Sequence, residues 1–202
     1  MKLGKFLNII ILLLVVIILA FWGYYFYLKE TQREVGTRID IGQSGLVFPP
    51  LDSNFTFETI DNRDILLSAS SKKMILDGFE GKILFLKIFG WDCQYCKKEI
   101  PELIHLKDEL KDSLEIIAIE AQQHTKEESR EYRKRYGINY IIIDGIKLQR
   151  FYEYLRVHYG WSGLIPVTIV LGKSGDILAY EVGVKSYTLA ELIKASISKD
   201  KN

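Results

Sequence analysis

Cys93 and Cys96 are the only cysteines in the 202 residues, and they stand in the stretch Trp91-Asp92-Cys93-Gln94-Tyr95-Cys96-Lys97-Lys98-Glu99-Ile100-Pro101. A pair with two residues between its members closes a disulfide with little movement of the backbone. A thiolate placed first in it can attack another disulfide and then be released by its neighbour. Three other uses fit less well. A structural zinc site needs two further ligands, yet no second pair exists and His105, His124 and His158 are scattered. Haem attachment needs histidine directly after the second cysteine, where Lys97 stands. A purely structural crosslink across so small a loop removes little entropy from the unfolded chain. Redox exchange is the chemistry this pattern serves best.

The elements that must position the pair are legible on either side of it. The run Ile83–Phe89, broken only by Lys87, reads as a strand buried on both faces. A helix follows, so Cys93 falls at the strand-to-helix turn and Cys96 one turn in, near the positive end of the helix dipole, which favours thiolate. Ile100, Leu103, Leu106, Leu110 and Leu114 recur at three- and four-residue steps and mark the buried face of one long helix. Pro101 is expected to interrupt and kink it. His105 falls on its polar side, as a solvated residue.

The remaining order is read from period and turn residues. Residues 54–60 and 65–67 form a β-hairpin at the edge of the sheet, and 73–81 lead by a turn into the central strand. Then come a strand at 114–119, a loop through Gln122, Gln123 and His124, a charged helix over Lys126–Tyr136, and a short strand at 140–143. A helix at 147–159 carries the aromatic stripe Phe151, Tyr152 and Tyr159. A second hairpin pairs Val167–Leu171 with Ile177–Val182, and Leu189, Leu192, Ile193 and Ile197 mark the last helix. Alternation of this kind predicts an α/β domain, a mixed sheet with helices on both faces.

Before the domain, Lys2 and Lys5 precede an apolar stretch at 6–28 broken only by Asn8 and Gly23. As a helix it would be about 35 Å long, enough for a hydrocarbon core of about 30 Å. The aromatic cluster from Phe21 to Tyr27 suits the far interface, and the lysines hold the amino terminus in the cytoplasm. A cleaved signal peptide would have a shorter core ending in small residues, where this chain has bulky aromatics. The expected organisation is a cytoplasmic stub at 1–5, a transmembrane signal-anchor at 6–28, a linker at 29–50 and an exported domain at 51–202. The exported part holds 25 basic and 26 acidic residues, a formal charge of −1, which gives nucleic acid nothing to bind. In an oxidising compartment a partner must set the redox state of the pair.

With this order the chain resembles the thioredoxin fold, and within it the membrane-anchored TlpA/ResA/CcmG-like thiol-disulfide oxidoreductases. The likeness runs from about Phe55 to Ile197. It rests on the entry hairpin, Gly81-Lys82 before the central strand, Cys93-x-x-Cys96 with Lys98-Glu99-Ile100-Pro101, and Gly163-Leu164-Ile165-Pro166-Val167-Thr168 before a later strand. The resemblance implies Cys93 as attacking thiol and Cys96 as resolving thiol. It further implies Pro166 as a cis proline walling the site, and the backbone of Ile165 as the edge on which an extended substrate segment pairs. It implies no cofactor beyond the Cys93–Cys96 pair and no metal. The implied partners are disulfides of exported proteins, apocytochrome c among them, and a membrane electron donor of the DsbD or CcdA type. The implied place is the inner membrane, single-pass, with the catalytic domain periplasmic or otherwise extracytoplasmic.

Two departures from the family pattern bear on reactivity. Asp92 stands where the family usually has tryptophan, and a carboxylate there disfavours a neighbouring thiolate; Trp91 stands one residue earlier. Lys87 takes the place of a buried acid in thioredoxin itself. Either it lies beneath the pair and favours the thiolate, or it snorkels to the strand's end. Trp91 and Tyr95 are candidates for an apolar contact surface, with packing the alternative for Trp91. The rival functions are an oxidase or isomerase of disulfide formation, a redox-inert holdase, and a copper module like the Sco proteins using His158. Sco proteins have three residues between their cysteines, against two here, and a peroxiredoxin would have threonine where Gly90 stands.

Overall fold

The computed structural model describes residues 48–200 together with Ile18, Phe21 and Trp22, which are helical. The segments expected as anchor and linker lie almost wholly outside the described residues, among which no helix is long and apolar enough to cross a membrane. The chain divides into two units, 1–47 and 48–202, and the second carries the chemistry.

In chain order its elements are β1 (Ser53–Glu58), β2 (Asp64–Ala69), β3 (Met74–Leu76), β4 (Ile83–Phe89), α1 (Gln94–Leu110), β5 (Leu114–Glu120), α2 (Lys126–Tyr136), β6 (Ile141–Asp144), α3 (Gln149–Tyr159), β7 (Val167–Leu171), β8 (Ile177–Val182) and α4 (Leu189–Asp200). The five-stranded sheet has the order β6-β5-β4-β7-β8. β4 is central, parallel to β5 and antiparallel to β7, so none of its seven residues reaches solvent. That is why its sequence is apolar apart from Lys87 and does not alternate.

The alternation of side chains along β4 sorts the interior into two cores. Leu84, Leu86 and Ile88 join the core that holds Phe55, Phe57, Phe151 and Tyr154. Ile83, Phe85 and Phe89 join the other, with Cys96, Ile100, Leu103 and Leu106 of α1 and Leu189, Leu192 and Ile193 of α4. Lys87 belongs by parity to this second face, beneath α1.

One expectation of the fold needs correction. The entry hairpin is no edge of the central sheet: β1, β2 and β3 form a separate antiparallel sheet, tacked to the rest by isolated bridges, Thr59 to Ile143 and Lys73 to Asp176. The apolar face that alternation gives β1 needs a cover, and α3 supplies it. The Phe55 and Phe57 rings lie edge-on against Phe151 at 5.2 and 4.9 Å. The helix after the cysteines is one long element, as its period predicts: α1 runs through Pro101 to Leu110. One backbone hydrogen bond is lost there, while Ile100 and Leu103 on either side stay buried and hold both halves to the sheet.

Candidate active site

β4 delivers the chain to the turn at Gly90, and α1 starts with Cys93 as its N-cap. The Cys96 backbone N–H donates to Cys93 Sγ at 3.1 Å. The two sulfurs are joined in a disulfide, with Cα atoms 5.2 Å apart. Cys93 is half-buried while Cys96 is 2 % exposed. A helix-start amide aimed at the first sulfur stabilises negative charge on it. The exposure difference makes Cys93 the more accessible of the two sulfurs.

The Ile165–Pro166 peptide is cis, as the resemblance implied. The pairing of Ile88 with Val167 sets Pro166 level with the end of β4, and the Gly183 N–H donates to the Pro166 carbonyl at 2.7 Å. Ile165 packs against both cores, including the one that contains Cys96. Beside these loops a cleft of about 340 Å³ is lined by Tyr95, Lys98, Thr168, Val184 and Tyr187 among others. Tyr95 is 56 % exposed, with the Lys98 ammonium 5.5 Å from its ring centre. Of the two aromatic candidates, Tyr95 is thus the one available for contact.

Trp91 is not. Its side chain is fully buried, stacked on Tyr132 at 4.8 Å, edge-on to Phe89, and its indole N–H donates to Ser129 Oγ at 3.0 Å. The expectation of Trp91 as a contact residue is corrected: α2 covers the ring, and packing is its role. Trp91→Phe is therefore expected to lose about 1–3 kcal/mol of stability, because buried Ser129 forfeits its donor. Denaturant unfolding checks this, and a change below about 0.5 kcal/mol, the usual scale of surface substitutions, would refute it.

Lys87 does not snorkel. It is 1 % exposed, its ammonium 2.8 Å from Glu99 Oε2 and donating to Thr168 Oγ1. Burial pushes Lys87 below its ordinary value, and the Glu99 carboxylate opposes that push. Glu99 lies three residues past Cys96, and Thr168 two past Pro166. The buried cation thus ties together the two segments that carry the cysteines and the proline. Glu99 went unnamed as a site residue because its spacing suits a solvated helix charge.

Asp92 is exposed, its carboxylate 3.4 Å from His124 Nε2, and its backbone N–H is held by Gln122 Oε1 at 2.7 Å. A Cβ on Gly90 would overlap that same glutamine side chain. His124 and buried Glu120 are the residues the sequence reading missed. Among the described residues no group of three or more His, Cys, Asp or Glu is arranged to hold a metal. His158 instead faces the Pro49 carbonyl at 2.8 Å and the Tyr154 ring.

The chain is similar to known proteins in sequence and in fold. A family model described as Thioredoxin-like matches residues 81–177. The chain is 30% identical over 142 residues to the thiol-disulfide oxidoreductase ResA of Halalkalibacterium halodurans, covering 68% of this chain and 70% of that protein. To ResA of Bacillus subtilis it is 29% identical over 126 residues, 62% of this chain and 66% of the relative. Against ResA of Bacillus cereus the match spans 65% of the relative, a little under two thirds of its length. Among solved structures, StoA from Bacillus subtilis superposes with a TM-score of 0.53 at 20% identity, over 73% of this chain and 99% of that one. A DsbF homologue from Corynebacterium diphtheriae gives 0.54 at 22%, over 73% and 85%. These superpositions speak for the fold, the ResA alignments for kinship in sequence, and together they place the chain in the ResA family of thioredoxin-like thiol-disulfide oxidoreductases.

Proposed function

We propose that the chain works as a membrane-tethered reductant of disulfides in exported proteins, apocytochrome c before haem attachment among them, and is recharged by a membrane donor of the DsbD or CcdA type. The observation that carries the exchange chemistry is the unequal pair: a half-exposed Cys93 capped by a helix amide, backed by a buried Cys96. Cys93 attacks a client disulfide, one client sulfur leaves as thiolate, and a mixed disulfide forms. Cys96 then attacks Cys93, releasing the second client sulfur and restoring the internal disulfide; two electrons pass to the client. Pro166 and Ile165 would border the client segment and Tyr95 would give it an apolar contact. Lys87 would lend positive charge beneath the pair. The apolar stretch at 6–28 supports tethering at the inner membrane with the domain outside the cytoplasm.

The test is the Cys93–Cys96 reduction potential against glutathione, with the thiol state trapped in growing cells. A potential near or below about −270 mV with thiols mostly reduced supports a reductant. A value near the oxidant end, about −120 mV, with the pair mostly oxidised, moves the reading to disulfide formation.

A further inference from the structure

The turn before Cys93 is clamped from the end of β5, and the clamp runs through two acids and an imidazole. Glu120 is 1 % exposed and both its oxygens are occupied. Oε1 accepts the Gln122 N–H at 3.0 Å and lies 3.2 Å from His124 Nδ1, while Oε2 accepts the His124 N–H at 3.0 Å. A carboxylate only accepts, so the proton of that contact sits on Nδ1. The opposite ring nitrogen, Nε2, faces the Asp92 carboxylate at 3.4 Å. The ring thus has a carboxylate on either side, hydrogen-bonded at Nδ1 and within ion-pair distance at Nε2. The Tyr132 ring lies edge-on to His124 at 5.9 Å, and Glu128 of α2 adds a third acid within its field.

Asp92 is bonded directly to Cys93, and nothing in ordinary exchange chemistry calls for a carboxylate there: it opposes the thiolate the first step requires. We propose that His124 is a positioning residue for Cys93: anchored on Glu120, it holds and neutralises the Asp92 carboxylate, so the attacking sulfur ionises beside an ion pair instead of a bare anion. This rests on the attacking role given to Cys93 above. The neighbours oblige this arrangement. The Gln122 contact to the Asp92 N–H and the Ala121 N–H donating to the Phe89 carbonyl at 2.8 Å fix the loop that carries His124 against the turn that carries Asp92.

The experiment uses the full chain, reduced and held in mild detergent, and follows iodoacetamide labelling of Cys93 by peptide mass between pH 5.5 and pH 10. Four proteins are compared: unaltered, His124→Gln, Asp92→Asn and the double variant. His124→Gln keeps an amide donor toward Glu120 while removing the charge, and His124→Asn serves as a second variant. With His124 alone changed, labelling near pH 6.5 is expected to slow about two- to fivefold, the worth of one partly exposed ion pair. The slowing should vanish at pH 10, where the thiol is ionised regardless. In the Asp92→Asn background the same change should have no effect. No slowing, or equal slowing with and without Asp92, overturns the proposal while Cys93 is still labelled first. If Cys96 is labelled first in the unaltered chain, the attacking role of Cys93 falls, and the positioning role with it.

Discussion

Cys93→Ser is expected to abolish disulfide exchange, by about a thousandfold or more, because no second nucleophile stands in for a missing one. Cys96→Ser is expected to behave differently: the first attack proceeds and the reaction halts as a mixed disulfide. The asymmetry follows from placement. Cys93 is half-exposed and receives the helix-start amide, whereas Cys96 lies inside the core with Ile100 and Leu103. Its sulfur reaches only what is already joined to Cys93. The measurement is turnover of a small mixed disulfide, with non-reducing mass analysis of adducts. A Cys96→Ser protein that captures no disulfide while Cys93 is fully reduced would reverse the assigned roles.

The second large effect concerns Lys87. Lys87→Ala is expected to cost about 3–5 kcal/mol, since truncation leaves Glu99 and Thr168 without their buried partner. For a chain of this size that lowers the melting temperature by roughly 6–20 °C. Lys87→Met combined with Glu99→Gln should recover most of the loss, because an uncharged pair of similar volume avoids the desolvation of both ions. A single Lys87→Ala change worth less than about 1 kcal/mol would mean that the ion pair is dispensable.

The pH dependence has a definite sign. Burial holds Lys87 below its ordinary 10.5 in the folded chain. Between the depressed value and 10.5 the unfolded chain therefore binds the extra proton. Stability from this group rises with pH across that window and is lost as pH falls through the folded value. Denaturant midpoints taken up to pH 10.5 should show that rise in the unaltered protein and lose it in Lys87→Met.

What the sequence disclosed follows the range of its signals. The strand before the cysteines was legible because a central strand must be apolar on both faces, and the helix after them because Ile100, Leu103 and Leu106 keep helical period. The fate of Met74–Leu76 was not: three residues are too few to show a period. The separate sheet they complete is decided by what covers Phe55 and Phe57, about a hundred residues away in α3. Lys87 could be placed on the strand but not on a face until the strand's partners were known.

The clamp on Asp92 shows the same limit at the site. Asp92 and His124 are thirty-two residues apart, and no local pattern joins them. Pairing Phe89 with Glu120 in parallel strands brings both trailing loops to one end of the sheet, where the site is assembled. Glu120 did leave a trace, an acid directly after the apolar run 116–119. It is among the most deeply buried acids described.

Gly90 carries a consequence for how this protein can vary. Its missing side chain is the space that the Gln122 side chain occupies on its way to the Asp92 amide. A mutation adding even one methyl at position 90 meets that glutamine head-on, and a shorter residue at 122 leaves the amide unheld. Positions 90 and 122 therefore share one space. A side chain at the first displaces the glutamine from the space it uses to reach the Asp92 amide, so the cost of the change falls on the hold over the turn and not on the backbone around it.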